Sequence, residues 1–160
     1  MDNLTKRSLI FVCTANICRS PIAERLMRAK IPGYGSDESE WRVESAGTWA
    51  LEGEPAARIA QKVLSAQGID LSDHRSRPVT RELLDQFNLI LVMENGHKEA
   101  LQIEFPEISR RVFLLYEMIG LKQEVIDPIG GSTRDFEDTV REIQKVITHG
   151  FDKITAMAGE

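Results

Sequence analysis

The sequence predicts an α/β fold in which a parallel sheet is covered by helices on both faces. Four short apolar or β-branched runs alternate with segments of helical periodicity, and this alternation is typical of parallel sheets. The 160 residues, 42% hydrophobic and 28% charged, are enough for one domain with its own core. The chain has no internal repeat or low-complexity segment. We therefore expect residues 1–160 to form a single domain.

The predicted strands are short runs that suit a buried position. Residues 8–12 are apolar enough to be buried on both faces, as in the centre of a parallel sheet. Residues 41–45 form a second run that ends at Ala46 and Gly47. The third and fourth strands are predicted at residues 89–93 and 111–115.

The first helix is predicted just after the segment 13–19. Ser20 and Pro21 are a helix-start pair, with Ser20 as the N-cap and Pro21 at the first helical position. Apolar residues then follow at helical spacing, namely Ile22, Leu26 and Ala29. The order is thus strand, tight loop, helix.

Three further helices are predicted, and residues 31–37 between the first helix and the second strand are expected to form a loop. One helix covers roughly residues 55–67 and has Gly68 at its end; its predicted apolar face is Ile59, Val63 and Ala66. Another covers about residues 96–103. A long helix closes the chain, because apolar residues recur there at intervals of three and four: Phe136, Val140, Ile143, Ile147, Phe151 and Ile154.

Several classes of protein are disfavoured by composition. The apolar run at residues 88–93 is far shorter than the roughly 20 residues that cross a bilayer. Residues 1–7 lack the apolar stretch of a signal peptide, so we expect a cytoplasmic protein. The net charge is −5 and the basic residues are dispersed, so nucleic acid is not an expected partner. The histidines are isolated and have no ligand spacing, so no metal site is expected; they are His74, His97 and His149.

The segment from Cys13 to Ser20 is predicted to bind an anion. It lies where the carboxyl end of a central strand meets a helix N-terminus, and unpaired backbone N–H groups converge there. Main-chain donors would come from the loop residues Thr14, Ala15, Asn16, Ile17 and Cys18. Arg19 can add a planar fork that meets two phosphate oxygens at once.

This environment also favours the thiolate form of Cys13, because a helix N-terminus and an arginine stabilise negative charge. The thiolate is the reactive species. A Cys-x5-Arg spacing in this position is therefore the arrangement expected for attack on phosphorus, with Arg19 stabilising charge on the equatorial oxygens in the transition state.

Each of these residues also has a purely structural interpretation. A free Cys at the end of a buried strand is commonly a small apolar residue. Asn16 is interpreted mainly as a residue that holds the loop shape, since Asn tolerates left-handed backbone. Ser20 is either an N-cap alone or a donor to the Cys13 thiolate. Cys18 is either a core residue or a partner that traps oxidised Cys13 as a disulfide; a disulfide that staples the fold is not expected at this spacing.

The chain resembles the low-molecular-weight protein-tyrosine-phosphatase family over nearly its whole length. The resemblance rests on Val12-Cys-Thr-Ala-Asn-Ile-Cys-Arg-Ser-Pro21 followed by Ala23-Glu24, and on three further motifs in the family's order. These are Ser45-Ala46-Gly47-Thr48, His74-Arg75-Ser76-Arg77 and Asp127-Pro128.

This resemblance implies a four-stranded parallel sheet, hydrolysis through a phosphocysteine intermediate, and no metal or organic cofactor. It assigns the nucleophile to Cys13, phosphate binding to Arg19 and proton donation to Asp127. By itself an Asp before Pro is commonly a turn residue. Trp49 falls where the family has an aromatic residue on the wall of the substrate cleft; its alternative role is core packing.

One segment departs from the animal members of the family, which have a pair of tyrosines shortly after the Asp-Pro dipeptide. Residues 129–136 contain Gly130 and Gly131 instead, so we expect a smaller and more mobile cleft edge. The chain looks more like a bacterial member, and many of those act on tyrosine kinases of surface-polysaccharide export. The expected partner is thus a phosphotyrosine protein, with a bacterial tyrosine kinase as one candidate, and the expected state is a monomer or weak dimer.

Three rival functions share some of these features. A thioredoxin-coupled arsenate reductase has a similar loop but needs further cysteines in mid-chain, and residues 71–93 contain none. A phosphocysteine carrier domain of a sugar phosphotransferase system would not need Arg19 or Asp127. A phosphate-binding module without catalysis would not need a nucleophile in its loop.

Overall fold

A parallel sheet of four strands forms the centre of the computed structural model, which describes residues 6–159. The strands are β1 (Arg7–Cys13), β2 (Trp41–Gly47), β3 (Leu89–Val92) and β4 (Val112–Leu114). Their order across the sheet is β2-β1-β3-β4. All three pairings are parallel. The predicted four-stranded parallel sheet is therefore confirmed.

The side chains of β1 alternate between two apolar cores. Leu9 and Phe11 belong to the core on one face, whereas Ile10 and Val12 belong to the core on the other. All four are fully buried, which explains why this strand has no polar positions between them. The period of two in side-chain direction thus turns an uninterrupted apolar run into the middle of a covered sheet.

Five α-helices cover the sheet, together with short 3₁₀ helices in the connections. The α-helices are α1 (Arg19–Lys30), α2 (Arg58–Ser65), α3 (Arg81–Leu84), α4 (Asn95–Glu104) and α5 (Thr133–Ala158). Helices α1, α2 and α5 contribute to the larger core, while α3 and α4 contribute to the smaller one on the opposite face. None of the helices in residues 6–159 has the length and apolarity that crossing a bilayer requires.

Helix α5 confirms the periodicity of the sequence most fully. Its six predicted apolar positions are all buried. Its first turn is closed by Ser132, whose hydroxyl accepts from the N–H of Asp135, while the Asp135 carboxylate accepts from the N–H of Ser132. This reciprocal pair satisfies two N–H groups that would otherwise lack partners at the helix start.

Two local predictions were wrong. Helix α1 begins at Arg19 with Cys18 in the N-cap position, so Ser20 lies inside the helix and not at its cap. Helix α2 is shorter than predicted, and its buried residues are Ala60, Val63 and Leu64, while Ala66 is exposed. The loop predicted at residues 31–37 contains a 3₁₀ helix at Pro32–Tyr34. Most of the polar N-terminal segment, residues 1–5, lies outside the described residues.

Candidate active site

The loop between β1 and α1 forms the floor of a small pocket. Cys13 ends β1 and is buried, and the loop turns through Asn16, whose φ of 60° lies in the left-handed region. Residues across the pocket come from the segment just before α5. The pocket is lined by Cys13, Thr14, Ala15, Ile17, Cys18, Arg19, Asp127 and Ile129.

Asn16 holds this loop through every polar group of its side chain. Its Nδ2 donates to the hydroxyl oxygens of Ser20 at 2.8 Å and of Ser45 at 3.0 Å. Its Oδ1 accepts from the backbone N–H of Arg77 at 3.0 Å. The Asn16 carbonyl accepts from His74 Nε2 at 2.7 Å. The residue is fully buried, so these bonds compensate its burial and fix the left-handed turn.

Burial lowers the pKa of His74 below its ordinary value of 6.5. A carbonyl oxygen can only accept, so the neutral imidazole of His74 must carry its proton on Nε2. The structural interpretation of Asn16 agrees with this network.

Ser20 lies beside the sulfur of Cys13. The Ser20 Oγ is 3.0 Å from the Cys13 Sγ and 3.4 Å from the carbonyl oxygen of Ala46. Because Ser20 accepts from Asn16, its own hydrogen is free to point at the sulfur, which is the nearer acceptor when it is a thiolate. Ser20 is therefore not a cap, and its hydroxyl is placed to donate to a Cys13 thiolate.

A second layer of contacts supports the network from α1. The hydroxyl of Ser45 donates to Glu24 Oε1 at 2.6 Å. The other carboxylate oxygen of Glu24 is 3.0 Å from Arg28 Nη2 and 3.2 Å from Arg25 Nε. Glu24 is buried, so the two arginines compensate its charge.

Arg19 is buried at the floor of the pocket, and its guanidinium is oriented by three groups. Its Nη1 donates to the carboxylate of Glu94 and to the carbonyl of Val125, the latter at 2.8 Å. Its Nη2 is 3.5 Å from Asp127 Oδ2. Its Nε has no hydrogen-bond partner among the residues that the structure describes. A buried N–H without a partner is costly, so this group is available to bond an oxyanion.

Asp127 faces the pocket from the opposite side. Its side chain is 37% exposed. Its Oδ1 accepts from the N–H of Ile129 at 3.0 Å, which is the turn role that the Asp-Pro dipeptide suggests. The other oxygen points towards Arg19. The turn and the catalytic interpretation are thus compatible, because each uses a different carboxylate oxygen.

Trp49 lies just after β2, next to the pocket loop. Its backbone N–H donates to the carbonyl of Thr14 at 2.9 Å, while its side chain is 82% exposed. Such exposure excludes the core-packing alternative. A large exposed indole whose backbone adjoins the pocket loop is available to contact an aromatic substrate.

Cys18 is a buried thiol that also lies next to the pocket. Burial, and secondarily the charge of Asp127, raises its pKa to about 12. Its thiol therefore stays protonated at neutral pH, so Cys18 is not a second nucleophile. It packs in the larger core, as the core interpretation predicts, and it also lines the pocket together with Cys13.

Several contacts of the site were not predicted from the sequence. Glu94 and the Val125 carbonyl orient Arg19, and His97 Nε2 lies 2.8 Å from the hydroxyl of Thr14. The one signal that could have indicated Glu94 and His97 is their place directly after β3, at the same edge of the sheet as Cys13. In residues 6–159 no group of three or more His, Cys, Asp or Glu side chains could hold a metal ion.

The sequence is similar to those of known phosphatases. The family model of the low molecular weight phosphotyrosine protein phosphatases matches residues 8–157. A probable low molecular weight protein-tyrosine-phosphatase, EpsP, of Ralstonia nicotianae is 35% identical over 151 residues, which cover 94% of this chain and 98% of that protein. A protein-arginine-phosphatase of Geobacillus stearothermophilus is 34% identical over 148 residues, covering 91% and 95%.

The fold is likewise similar to solved structures. The crystal structure of a low molecular weight protein tyrosine phosphatase from T. tengcongensis has a TM-score of 0.86 and 37% sequence identity. That match covers 91% of this chain and 98% of the other.

Proposed function

The chain belongs to the low molecular weight phosphotyrosine protein phosphatase family, a family of hydrolases, and from this premise we propose that its pocket dephosphorylates tyrosine side chains through an intermediate on Cys13. The single observation that carries the proposal is the convergence of three groups on one pocket. These are Cys13, Arg19, whose buried Nε has no partner among the described residues, and Asp127, which has a carboxylate oxygen 3.5 Å from Arg19 Nη2.

The first chemical step transfers the phosphoryl group from tyrosine to sulfur. The phosphate enters against the backbone N–H groups of residues 14–18 and the open side of Arg19. The Cys13 thiolate attacks phosphorus and forms the S–P bond while the O–P bond breaks. Protonated Asp127 donates its proton to the departing phenolate oxygen, so the product leaves as a neutral phenol.

The second step releases phosphate. Asp127, now a carboxylate, removes a proton from a water that attacks phosphorus, and the S–P bond breaks to regenerate the thiolate. Ser20 assists by donating to the sulfur as negative charge returns to it, from a distance of 3.0 Å. Arg19 stabilises charge on the equatorial oxygens in both steps.

A tyrosine substrate is favoured over phosphoarginine by the walls of the pocket. Ile17 and Ile129 line it, and the backbone of Trp49, whose indole is exposed, is bonded to Thr14 of the pocket loop. These side chains offer apolar and aromatic contact to a phenyl ring. A guanidinium would need several carboxylate or hydroxyl partners, whereas among the described pocket residues Asp127 supplies the one carboxylate and the Thr14 hydroxyl is already bonded to His97.

The partner that we propose is a phosphotyrosine-containing protein, with a bacterial tyrosine kinase as the specific candidate. We also propose that residues 1–160 form one domain, that the protein is a monomer or weak dimer, and that it acts in the cytoplasm. The last point is supported by the chemistry of Cys13 and Cys18, both free thiols, because a reducing compartment keeps a catalytic thiolate active.

A paired-substrate assay tests this function. Purified protein is given one peptide phosphorylated on tyrosine and the same peptide phosphorylated on arginine, with and without vanadate, and released phosphate is measured. We expect vanadate-sensitive release from the phosphotyrosine peptide and at least tenfold lower kcat/KM for phosphoarginine. A difference of this size is on the order of what the loss of one or two apolar contacts causes. Preferential release from phosphoarginine would overturn the substrate assignment, and no release from either would overturn the activity.

A further inference from the structure

A buried histidine that the proposed mechanism does not use contacts the pocket loop directly. His97 is the third residue of α4 and is almost wholly buried. Its Nε2 lies 2.8 Å from the hydroxyl oxygen of Thr14, the residue that follows the nucleophile. Its Nδ1 lies 3.1 Å from the backbone nitrogen of Glu94.

The second contact determines which nitrogen carries the proton. A backbone N–H can only donate, so Nδ1 of His97 must accept from Glu94 and cannot itself be protonated. Neutral His97 therefore has its proton on Nε2, which donates to the hydroxyl of Thr14. Both ring nitrogens are used, and the imidazole bridges the start of α4 to the pocket loop.

Thr14 is consequently held on two sides. Its carbonyl accepts from the N–H of Trp49 at 2.9 Å, and its hydroxyl accepts from His97. Between these two contacts lies the backbone that leads from Cys13 into the loop. A bond at each side restricts rotation of this backbone and hence the direction of the loop N–H groups.

We propose that neutral His97 is a positioning residue that acts through Thr14 to keep the pocket loop aligned for phosphate. The inference rests on the proposed phosphatase function. It adds the requirement that His97 be neutral, because protonated His97 has a hydrogen on both ring nitrogens. Its Nδ1–H would then oppose the N–H of Glu94, and the bridge would be lost.

The charged groups around His97 influence the pH range in which its imidazole is neutral. Arg19 faces it from α1, the Glu94 carboxylate precedes α4, and Glu124 and Asp127 lie in the segment before α5. Burial is the main cause that lowers the pKa of His97 below 6.5, followed by the positive charge of Arg19, while the three carboxylates act in the opposite direction. The bridge is therefore intact at neutral pH and opens only below pH 6.5.

The test compares kcat/KM of the wild-type protein and of His97→Asn for para-nitrophenyl phosphate across pH. The shorter side chain keeps an oxygen that can accept from the N–H of Glu94 but does not reach Thr14. Taking the ratio of the two proteins cancels ionisation of the substrate. At neutral pH we expect kcat/KM of the wild type to be about 2- to 10-fold that of His97→Asn, which is the effect of losing one hydrogen bond. This ratio should fall towards one below pH 6.5.

Three further variants make the test specific. Thr14→Val removes the hydroxyl, and in that background His97→Asn should change kcat/KM less than twofold, whereas Thr14→Ser should retain the full effect. His149→Asn, at an exposed position on α5, is the matched control for losing an imidazole and should give a ratio near one at every pH.

Three results would overturn the proposal: a ratio that does not change with pH, an equal loss in the Thr14→Val background, or a proton on Nδ1 in ¹⁵N spectra of the wild-type imidazole. Failure of the proposed function is distinguishable, since vanadate affinity can replace kcat/KM in each comparison. If His97→Asn does not fold, the ratio of kcat/KM of the wild type to that of Thr14→Val is measured across pH instead. It should show the same fall towards one below pH 6.5.

Discussion

Gly47→Ala is a sharp test of the loop geometry because it adds one methyl group outside the pocket. Gly47 ends β2 beside the pocket loop. A Cβ built there would lie far inside van der Waals contact with the carbonyl oxygen of Thr14 and 3.0 Å from the backbone nitrogen of Asn16. Both neighbours are backbone atoms, so neither can move away by a change of rotamer, and the loop must shift.

The expected losses of stability and activity follow from this overlap. Overpacking of this kind destabilises by about 1–3 kcal/mol, and here the strain falls on the loop that binds phosphate. We expect Gly47→Ala to weaken vanadate binding and to lower kcat/KM by about 10-fold or more, since a shift of about 1 Å in a catalytic group costs on the order of 100-fold. Thermal unfolding and vanadate titration measure the two effects separately.

Gly96→Ala is the matched control, because a Cβ at that position of α4 meets no atom within 4 Å. This variant should keep its vanadate affinity and gain a little stability, since Ala is a better helix residue than Gly. If Gly47→Ala showed the activity, vanadate affinity and melting temperature of the wild type, the close approach of β2 to the loop would be refuted.

Other expected outcomes concern the titratable groups. Asp127→Ala should slow phosphoenzyme formation from phosphotyrosine peptides by about 10²–10⁴-fold and much less from aryl phosphates with good leaving groups; uniform slowing in burst kinetics would leave Asp127 a turn residue only. Mild peroxide should inactivate reversibly through a Cys13–Cys18 disulfide formed by loss of water from oxidised Cys13; peptide mapping that finds Cys13 as an irreversible acid beside a free Cys18 thiol would contradict it. The free energy of unfolding should fall as the pH drops below about 6.5, because burial lowers the pKa of His74 and His97, so the unfolded chain is protonated there first. Urea unfolding of a variant with Asn at both positions should show a shallower slope with pH, and an unchanged slope would refute this cause.

The strands were predictable from sequence because their signal is local. The apolar run of β1 needs burial on both faces wherever it lies, and the spacing in α5 buries one stripe in any fold of this class. The helix start at Arg19 was not predictable in the same way. Ser20 has the side chain of a typical cap, yet its hydroxyl is occupied by Asn16 and Cys13, so a tertiary contact overrode the local preference.

The proximity of Cys13 and Arg19 was predictable because they lie six positions apart, at the two ends of one loop. The groups that orient them were not. Glu94 and His97 are about 80 residues away in sequence and meet the loop only because β1 and β3 are neighbours in the sheet. Gly47 is similar, since only the pairing of Cys13 with Gly47 across β1 and β2 shows why no side chain fits.

The central claim is that phosphate passes through Cys13, and trapping the intermediate tests it most directly. The protein is mixed with excess phosphotyrosine peptide, quenched by acid within milliseconds and digested, and the phosphorylated peptide is identified by mass spectrometry. We expect the phosphoryl group on Cys13, and none on the loop in Cys13→Ala, which has no acceptor atom there and should still bind vanadate through Arg19 and the loop N–H groups. Phosphate on another residue, or undiminished turnover by Cys13→Ala, would contradict the account.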